Sequence, residues 1–519
     1  MTESLGLRSL FRDVAADRRF RIWAGVAIVL HLGAAVFTVG YHHPDEHYQV
    51  LEFASYKLGG NDEAGLSWEF PRRMRSGLQP AIAWLVVRAG GAVGLDSPHT
   101  ISLLLRLLST ALAGACVAAL AWGFAHELGD RRRLRAFLLL SGLVWFMPYL
   151  HARFSAEGWS GSLFWIGLAL IVGGRARSLP PAPMMAAAGA LFGLAFQCRY
   201  QTAVLALGVG LWLLIEARAR IADLAVLTGA FTATVGLGVV VDRWLYGEWV
   251  FAPWRYVDGN AIEGLAGQFD THPVWYYPML TLLGAVPPLS VLVLGAAVAF
   301  WVLAPRHPVT WSSLLFVLAH SVPARKSLRF LFPMLPVLPL MAVFAVLAIG
   351  TGQGRAARWL RGRRWRPGRK TIGFSVGLNL MQLAFVSFAP ATVEVVVQKQ
   401  IYDHADGKPV TVVGVGCDPF ATHEDYPQTF YRPGGLRVVR VEDFAAVTSV
   451  VNREGRVLVV AERFDIPTDD VGYSTRLVYR SLPGWARHVN VNDWLERSPP
   501  WLLFEASPIP TELGDTLAR

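Results

Sequence analysis

Eleven apolar segments, most of them close to the length that crosses a bilayer, limit what this chain can fold into more than any other feature. They fall at about 22–41, 101–128, 135–151, 158–174, 182–197, 200–216, 222–242, 277–304, 309–323, 329–350 and 371–393. A helix rises about 1.5 Å per residue, so roughly 20 apolar residues cross about 30 Å of hydrocarbon. In that medium every backbone N–H and C=O needs an internal partner, and a helix supplies one. Composition agrees: 53% of the 519 residues are hydrophobic and 17% are charged, against about 25% charged in ordinary soluble domains. The predicted class is a polytopic α-helical membrane protein of about eleven spans. The first apolar segment lacks a small-residue cleavage site and is long enough to span, so it reads as a retained anchor.

The net charge of +10 raises nucleic-acid binding, and its distribution argues against that. Placed on the ladder of spans, the basic clusters at Arg8 to Arg21, Arg131 to Arg135, Arg175 and Arg177, Arg218 and Arg220, Arg306, and Arg355 to Lys370 fall on one side. The positive-inside rule makes that side cytoplasmic, with Arg361-Gly362-Arg363-Arg364-Trp365-Arg366 as its strongest marker. The other side receives the loops 42–100 and 242–276 and the turns 151–157, 198–202 and 323–329. Cys116, Cys198 and Cys417 form neither a disulfide framework nor a zinc spacing. From about Glu394 the long apolar runs give way to short β-rich pieces, Pro409 to Val413 and Arg456 to Val460, separated by turn residues. The division expected is a membrane domain over 1–393 and a small extracytoplasmic α/β domain over 394–519. In that tail Gly414-Val415-Gly416-Cys417 lacks the third glycine of a dinucleotide fingerprint, and His423-Glu424-Asp425 reads as a solvated loop. No repeat relates the two halves, which weakens an inverted-repeat transporter reading.

The sequence His42-His43-Pro44-Asp45-Glu46-His47-Tyr48-Gln49-Val50-Leu51-Glu52 sets two carboxylates directly after the first span. A carboxylate there can take a proton from a hydroxyl nucleophile. Proline at a first helical position with acids in the first turn is also an ordinary helix start. The wording resembles the H-P-D-E-x-x-Q-x-x-E motif of glycosyltransferase family 22, the lipid-phosphate-mannose-dependent α-mannosyltransferases of the GT-C superfamily, which build N-glycan precursors and GPI anchors. Further segments are similar to that family in order and spacing: Ser67-Trp68-Glu69-Phe70 followed by Arg75-Ser76 and Pro80, then Arg153 to Glu157, then Arg199 to Thr202, and Asp242-Arg243-Trp244-Leu245-Tyr246-Gly247-Glu248-Trp249-Val250. The family's H-K-E-x-R-F appears as Arg325-Lys326-Ser327-Leu328-Arg329-Phe330, which keeps the basic positions and loses the histidine and the glutamate.

The resemblance implies an inverting, membrane-embedded transferase with a dolichyl- or polyprenyl-phosphate mannose donor and a glycolipid or lipid-linked glycan acceptor. Its active site would face away from the cytoplasm. Asp45 is the expected base, with Glu46 second or an acid pairing Arg75, Arg153 or Arg199. Donor-phosphate contacts are expected from Arg199, Arg325, Lys326 and Arg329, since guanidinium and ammonium groups suit phosphate. Arg106, a turn inside its span, joins them as an intramembrane charge. Substrate contacts are expected from His43, Gln49, Glu52, Trp68, Glu69, Arg75, Arg153, Glu157, Asp242, Tyr246 and Trp249. A single lipid phosphate leaves without needing a metal, and no cofactor, metal or nucleic-acid partner is expected. Two rivals remain: a GT-C enzyme using another lipid-linked sugar or acceptor, and a transporter or flippase with Asp45 and Glu46 as coupling acids.

Overall fold

The computed structural model describes residues 10–268, 270–352, 355–362, 368–421, 426–467, 472–490 and 493–509. Arg8, Arg363 to Arg366 and His423-Glu424-Asp425 lie outside the described residues. Among the described residues, seven helices are long and apolar enough to cross a membrane: Arg18–Phe37, Pro98–Gly123, Ala156–Ala176, Pro181–Cys198, Ile221–Tyr246, Leu328–Thr351 and the helical stretch from Arg369. Each falls on one of the expected segments. The other four expected spans hold shorter or interrupted helices. The stretch 277–304 splits into Tyr276–Gly284 and Leu289–Leu303 around Pro287 and Pro288, where the missing N–H breaks the ladder. The stretch 135–151 splits into Arg131–Leu143 and Phe146–His151. At that gap the Asn379 amide receives the Trp145 N–H at 3.0 Å and donates to the Leu143 carbonyl at 2.9 Å. A helix the periodicity misses, Leu78–Gly91, lies within the expected first loop. Its 14 residues cover only about 21 Å.

Chain contacts divide the protein into two compact units, Met1–Thr38, Trp68–Arg88 and Ser102–Ala389 in the first, and Val39–Ser67, Ala89–Ile101 and Pro390–Arg519 in the second. The acid-bearing segment is therefore grouped with the tail.

In the first unit Arg18–Phe37 starts at Asp17, whose carboxylate accepts the Phe20 N–H at 3.0 Å. Its Ile22, Val29 and Leu32 are exposed, as suits a helix bathed in lipid. Ala156–Ala176 is the contrast, with 72% of its apolar window buried, so it is the central helix. Its Trp165 indole donates to the Pro333 carbonyl at 2.7 Å. Pro181–Cys198 meets Ile221–Tyr246 through Gly189 and Gly193, spaced as in the close-packing pattern of membrane helices. A Cβ at Gly189 would stand 2.2 Å from the Leu227 carbonyl oxygen, and one at Gly193 2.6 Å from Thr234 Cβ.

In the second unit five strands, β1 (Val410–Val415), β2 (Leu436–Val441), β3 (Val457–Ala461), β4 (Ser474–Arg480) and β5 (Leu502–Ser507), form one sheet of order β2-β1-β3-β5-β4. β1 runs parallel to β2 and β3, whereas β5 is antiparallel to β3 and β4. Alternate side chains face opposite ways. Val413, Val457, Val459, Leu502 and Phe504 pack under the helix Phe444–Glu454, and Val412, Leu458, Val460 and Leu503 pack against Val397 and Ile401 of the helix Val393–Ala405. Two filled layers explain why β3 is apolar throughout and buried at every position.

Candidate active site

In the second unit, His43 caps the short helix Pro44–Glu46, its Nδ1 accepting the Asp45 N–H at 3.2 Å, with Pro44 in the first turn. The helix-start reading of this motif is thus realised. Glu46 Oε2 accepts the His42 N–H at 3.1 Å. Asp45 keeps 25% of its side chain exposed, its Oδ1 standing 3.4 Å from His43 Nδ1. The backbone then widens into a π-turn, His47–Leu51, before Glu52–Lys57. Gln49 is half-buried. Glu52 is fully buried, meets His47 Nε2 at 2.7 Å, and accepts from Asn61 Nδ2 at 2.9 Å and the Phe430 N–H at 3.0 Å, with the Thr429 hydroxyl as a further donor. The Glu52 carboxylate therefore ties the acid-bearing segment to the tail at residues 429–430. A ring column continues from there, with Tyr431 stacked on His47 at 5.5 Å and on His99 at 4.9 Å.

In the first unit three candidates meet. Glu157 lies in the first turn of Ala156–Ala176, where a carboxylate suits the helix dipole, and Ser155 caps that helix. Arg199 follows Pro181–Cys198 in extended backbone. Arg329 stands on the 3₁₀ stretch Leu328–Val337, whose Pro333 and Pro336 forbid a regular α-helix. Glu157 Oε1 accepts from Arg199 Nη1 at 2.7 Å and from Arg329 Nη1 at 3.1 Å, and all three side chains are buried. The Phe330 ring lies 5.0 Å from one guanidinium and 5.2 Å from the other. Two guanidinium groups donate to one carboxylate oxygen, which gathers cationic groups out of bulk water. An anion is the species such a cluster attracts.

The other basic candidates are occupied differently. Arg106 Nε donates to the Ala35 carbonyl at 2.6 Å and Nη1 to Ser102 Oγ at 2.7 Å. Arg153, over the Tyr149 ring at 5.0 Å, donates to the carbonyl and hydroxyl of Thr38. Both arginines thus satisfy carbonyls at the carboxyl end of Arg18–Phe37. Lys326 Nζ donates to the carbonyls of Pro323 at 2.7 Å and His272 at 3.0 Å, and desolvation pulls it below the usual lysine range. Arg325 pairs through its backbone with Thr271 in an isolated antiparallel β-bridge.

Asp242 and Tyr246, four residues apart on one helix face, grip the backbone of the Arg75–Gly77 segment. Asp242 Oδ1 accepts the Gly77 N–H at 2.7 Å, and the Tyr246 hydroxyl donates to the Arg75 carbonyl at 2.7 Å. Ser76 Oγ donates to Gln197 Oε1 at 3.0 Å, while Gln197 Nε2 donates to the Val235 carbonyl at 3.1 Å. Sequence reasoning missed Gln197 and Ser76. The close fit shows only in the structure, where a Cβ at Gly238 would stand 1.5 Å from Gln197 Nε2. Arg75 Nη2 reaches Glu69 at 3.2 Å and its guanidinium lies 5.5 Å from the Tyr256 ring. Trp68 is half-buried, and Trp249 is exposed with Arg243 at 4.7 Å over its ring. Among the described residues no three His, Cys, Asp or Glu side chains group as metal ligands.

Comparison with known proteins gives relatives of one kind. The chain is 28% identical over 261 residues to GPI mannosyltransferase 3 of Drosophila melanogaster, covering 48% of this chain and 43% of that protein. It is 25% identical over 306 residues to GPI alpha-1,2-mannosyltransferase 3 of Bos taurus, covering 56% and 52%. The chain thus spans about half the length of the curated relatives it matches. Among solved structures, ArnT from Cupriavidus metallidurans bound to undecaprenyl phosphate aligns with TM-score 0.48 and 14% identity over 96% of this chain and 99% of that one. The family model that matches runs over residues 22–416 and takes in the acid-bearing segment, the Arg199–Glu157–Arg329 cluster and the Asp242–Tyr246 grip, so the chain belongs to the Alg9-like mannosyltransferase family.

Proposed function

We propose that this protein transfers mannose from a dolichyl- or polyprenyl-phosphate carrier to a hydroxyl of a glycolipid or lipid-linked glycan, on the extracytoplasmic side of the membrane, with inversion to an α-mannoside. The buried Arg199–Glu157–Arg329 cluster carries the reading, because its two guanidinium groups suit a single lipid phosphate. Family membership supplies the sugar class. Asp45, partly exposed and presented by the His43 cap, takes the acceptor hydroxyl proton. The hydroxyl oxygen then displaces the phosphate at the anomeric carbon through an oxocarbenium-like state, and Arg199 and Arg329 hold the phosphate as it leaves. Glu52, Arg106, Arg153, Asp242 and Tyr246 act as positioning residues, holding the backbone of the segments that carry the chemistry.

The test is transfer from radiolabelled polyprenyl-phosphate mannose to a panel of glycolipid acceptors by purified protein, wild type against Asp45→Asn. Asparagine keeps the shape and removes the base, so the expected loss is about 10²- to 10⁴-fold in a variant that still binds donor. Equal transfer by both proteins would remove Asp45 from the role.

A further inference from the structure

A cavity in the first unit carries a different set of charges from the Arg199–Glu157–Arg329 cluster. It measures about 300 Å³ and lies between the segment 71–74 and the stretch 248–263, at the small end of the range for ligand pockets. Its charged lining is balanced, with Arg72, Arg73 and Arg255 against Glu248, Asp258 and Glu263. Arg72 pairs with Glu263 and Arg73 with Glu248, each at 2.6 Å. No ion pair joins Arg255 or Asp258 to another described residue. The floor is Met74, buried, and Gly259, where a Cβ would come 2.9 Å from Met74 Cε. Arg73 holds φ at +54°, a region costly for a residue with a Cβ.

With three cationic and three anionic side chains, the cavity has no net charge to draw a phosphate. Planar carboxylate and guanidinium groups set around it, each able to make paired hydrogen bonds, suit a neutral polyhydroxylated ring. Its floor residue Met74 is followed directly by Arg75, whose guanidinium lies 5.5 Å from the Tyr256 ring, and Tyr256 meets Tyr200, the neighbour of Arg199, at 5.5 Å between ring centroids. Contacts through Arg75, Tyr256 and Tyr200 thus connect the cavity's lining segments to the residue beside Arg199. We propose that this cavity is a subsite for the sugar head of the acceptor, with Arg255 and Asp258 as its hydrogen-bonding pair. This deepens the mannosyl-transfer reading and rests on it.

Two readouts separate the proposals. In the transfer assay with an α-mannosyl lipid as acceptor, Asp258→Asn and Arg255→Gln raise the acceptor KM about 10-fold or more, while the donor KM stays at its wild-type value. An unchanged acceptor KM, or an equal rise in both constants, overturns the subsite. Saturation-transfer NMR with octyl α-D-mannopyranoside reads binding without turnover, and retained undecaprenyl phosphate binding marks each variant as folded. If a charge variant fails that check, Gly259→Leu fills the floor without touching a charge and is expected to abolish the octyl mannoside signal. A wild type that transfers nothing, with octyl mannoside binding lost in the variants, sinks the transfer reading and leaves the subsite standing. Binding equal in wild type and variants sinks the subsite whatever the transfer assay gives.

Discussion

Glu157 pairs with both Arg199 and Arg329, and its replacement sets two effects against each other. Breaking a buried ion pair from one side costs about 3–5 kcal/mol, so Glu157→Gln lowers the melting temperature. The same change raises the cluster's positive charge, so undecaprenyl phosphate raises the melting temperature of the variant by more than that of wild type. A smaller ligand-induced rise in the variant would show that no anion occupies the cluster. Residue types here were legible from the sequence, because family motifs and helix-end arginines flag Arg199, Arg329 and Glu157. Their convergence was not, since 172 positions separate Glu157 from Arg329. Glu52 shows the opposite case: a motif glutamate expected to touch substrate is fully buried and bonded to Asn61, Thr429 and Phe430. Periodicity cannot show which distant backbone a side chain will serve.

At the scale of elements, the close approach of Pro181–Cys198 to Ile221–Tyr246 depends on absent side chains. Gly189→Val places a branched chain against the Leu227 carbonyl and is expected to reduce the yield of monodisperse protein sharply. Gly229→Val, on the second helix with nothing within 4 Å, leaves the yield unaltered. Size-exclusion profiles of both variants check this. In the sheet, Glu505 of β5 faces Arg476 of β4 and also accepts from Arg456 at 2.6 Å. Burial pushes its carboxyl up, and the hydrogen bonds from Arg456 and Arg476 more than offset that, so it ionises below the ordinary glutamate range. A depressed carboxyl stabilises the fold fully above the unfolded value near 4.5 and less as pH falls through the folded value. Hydrogen-exchange protection of β5 is therefore expected to drop in acid, and Glu505→Gln to flatten that dependence. Apolar length located the spans, and β-branched runs located β1 and β3. The breaks at Pro287-Pro288 and at Val144 were masked because the apolar run continues across them.

For the chain as a whole, the division at residue 393 expected from hydropathy differs from the grouping by contact, which places 39–67 and 89–101 with 390–519. Hydropathy reports which segments enter lipid and is silent on what a polar loop folds against. Deleting 394–519 removes neither the proposed base nor the cationic cluster. It does remove Thr429, Phe430 and Tyr431, which hold Glu52 and His47. Transfer is expected to be lost and hydrogen exchange over 47–57 to rise. Retained transfer by the truncated chain would show the tail to be dispensable.

The backbone at Val39 accepts from the N–H groups of Ala391 and Thr392 at 2.8 and 3.1 Å, and the Thr392 hydroxyl accepts the Tyr41 N–H at 3.0 Å and donates to the Tyr41 carbonyl at 2.8 Å. Gly40, with φ +94°, lets Thr392 approach. With the Glu52 contacts at 429–430, these joints make residues 39–52 wait for residues 391–430 to be translated. At about 5–20 residues per second, synthesis from residue 57 to 430 takes roughly 20–75 s. During that interval Asp45 already exists but lacks the partners of its segment, so a prematurely terminated chain is expected to leave residues 39–57 without the contacts that fix them.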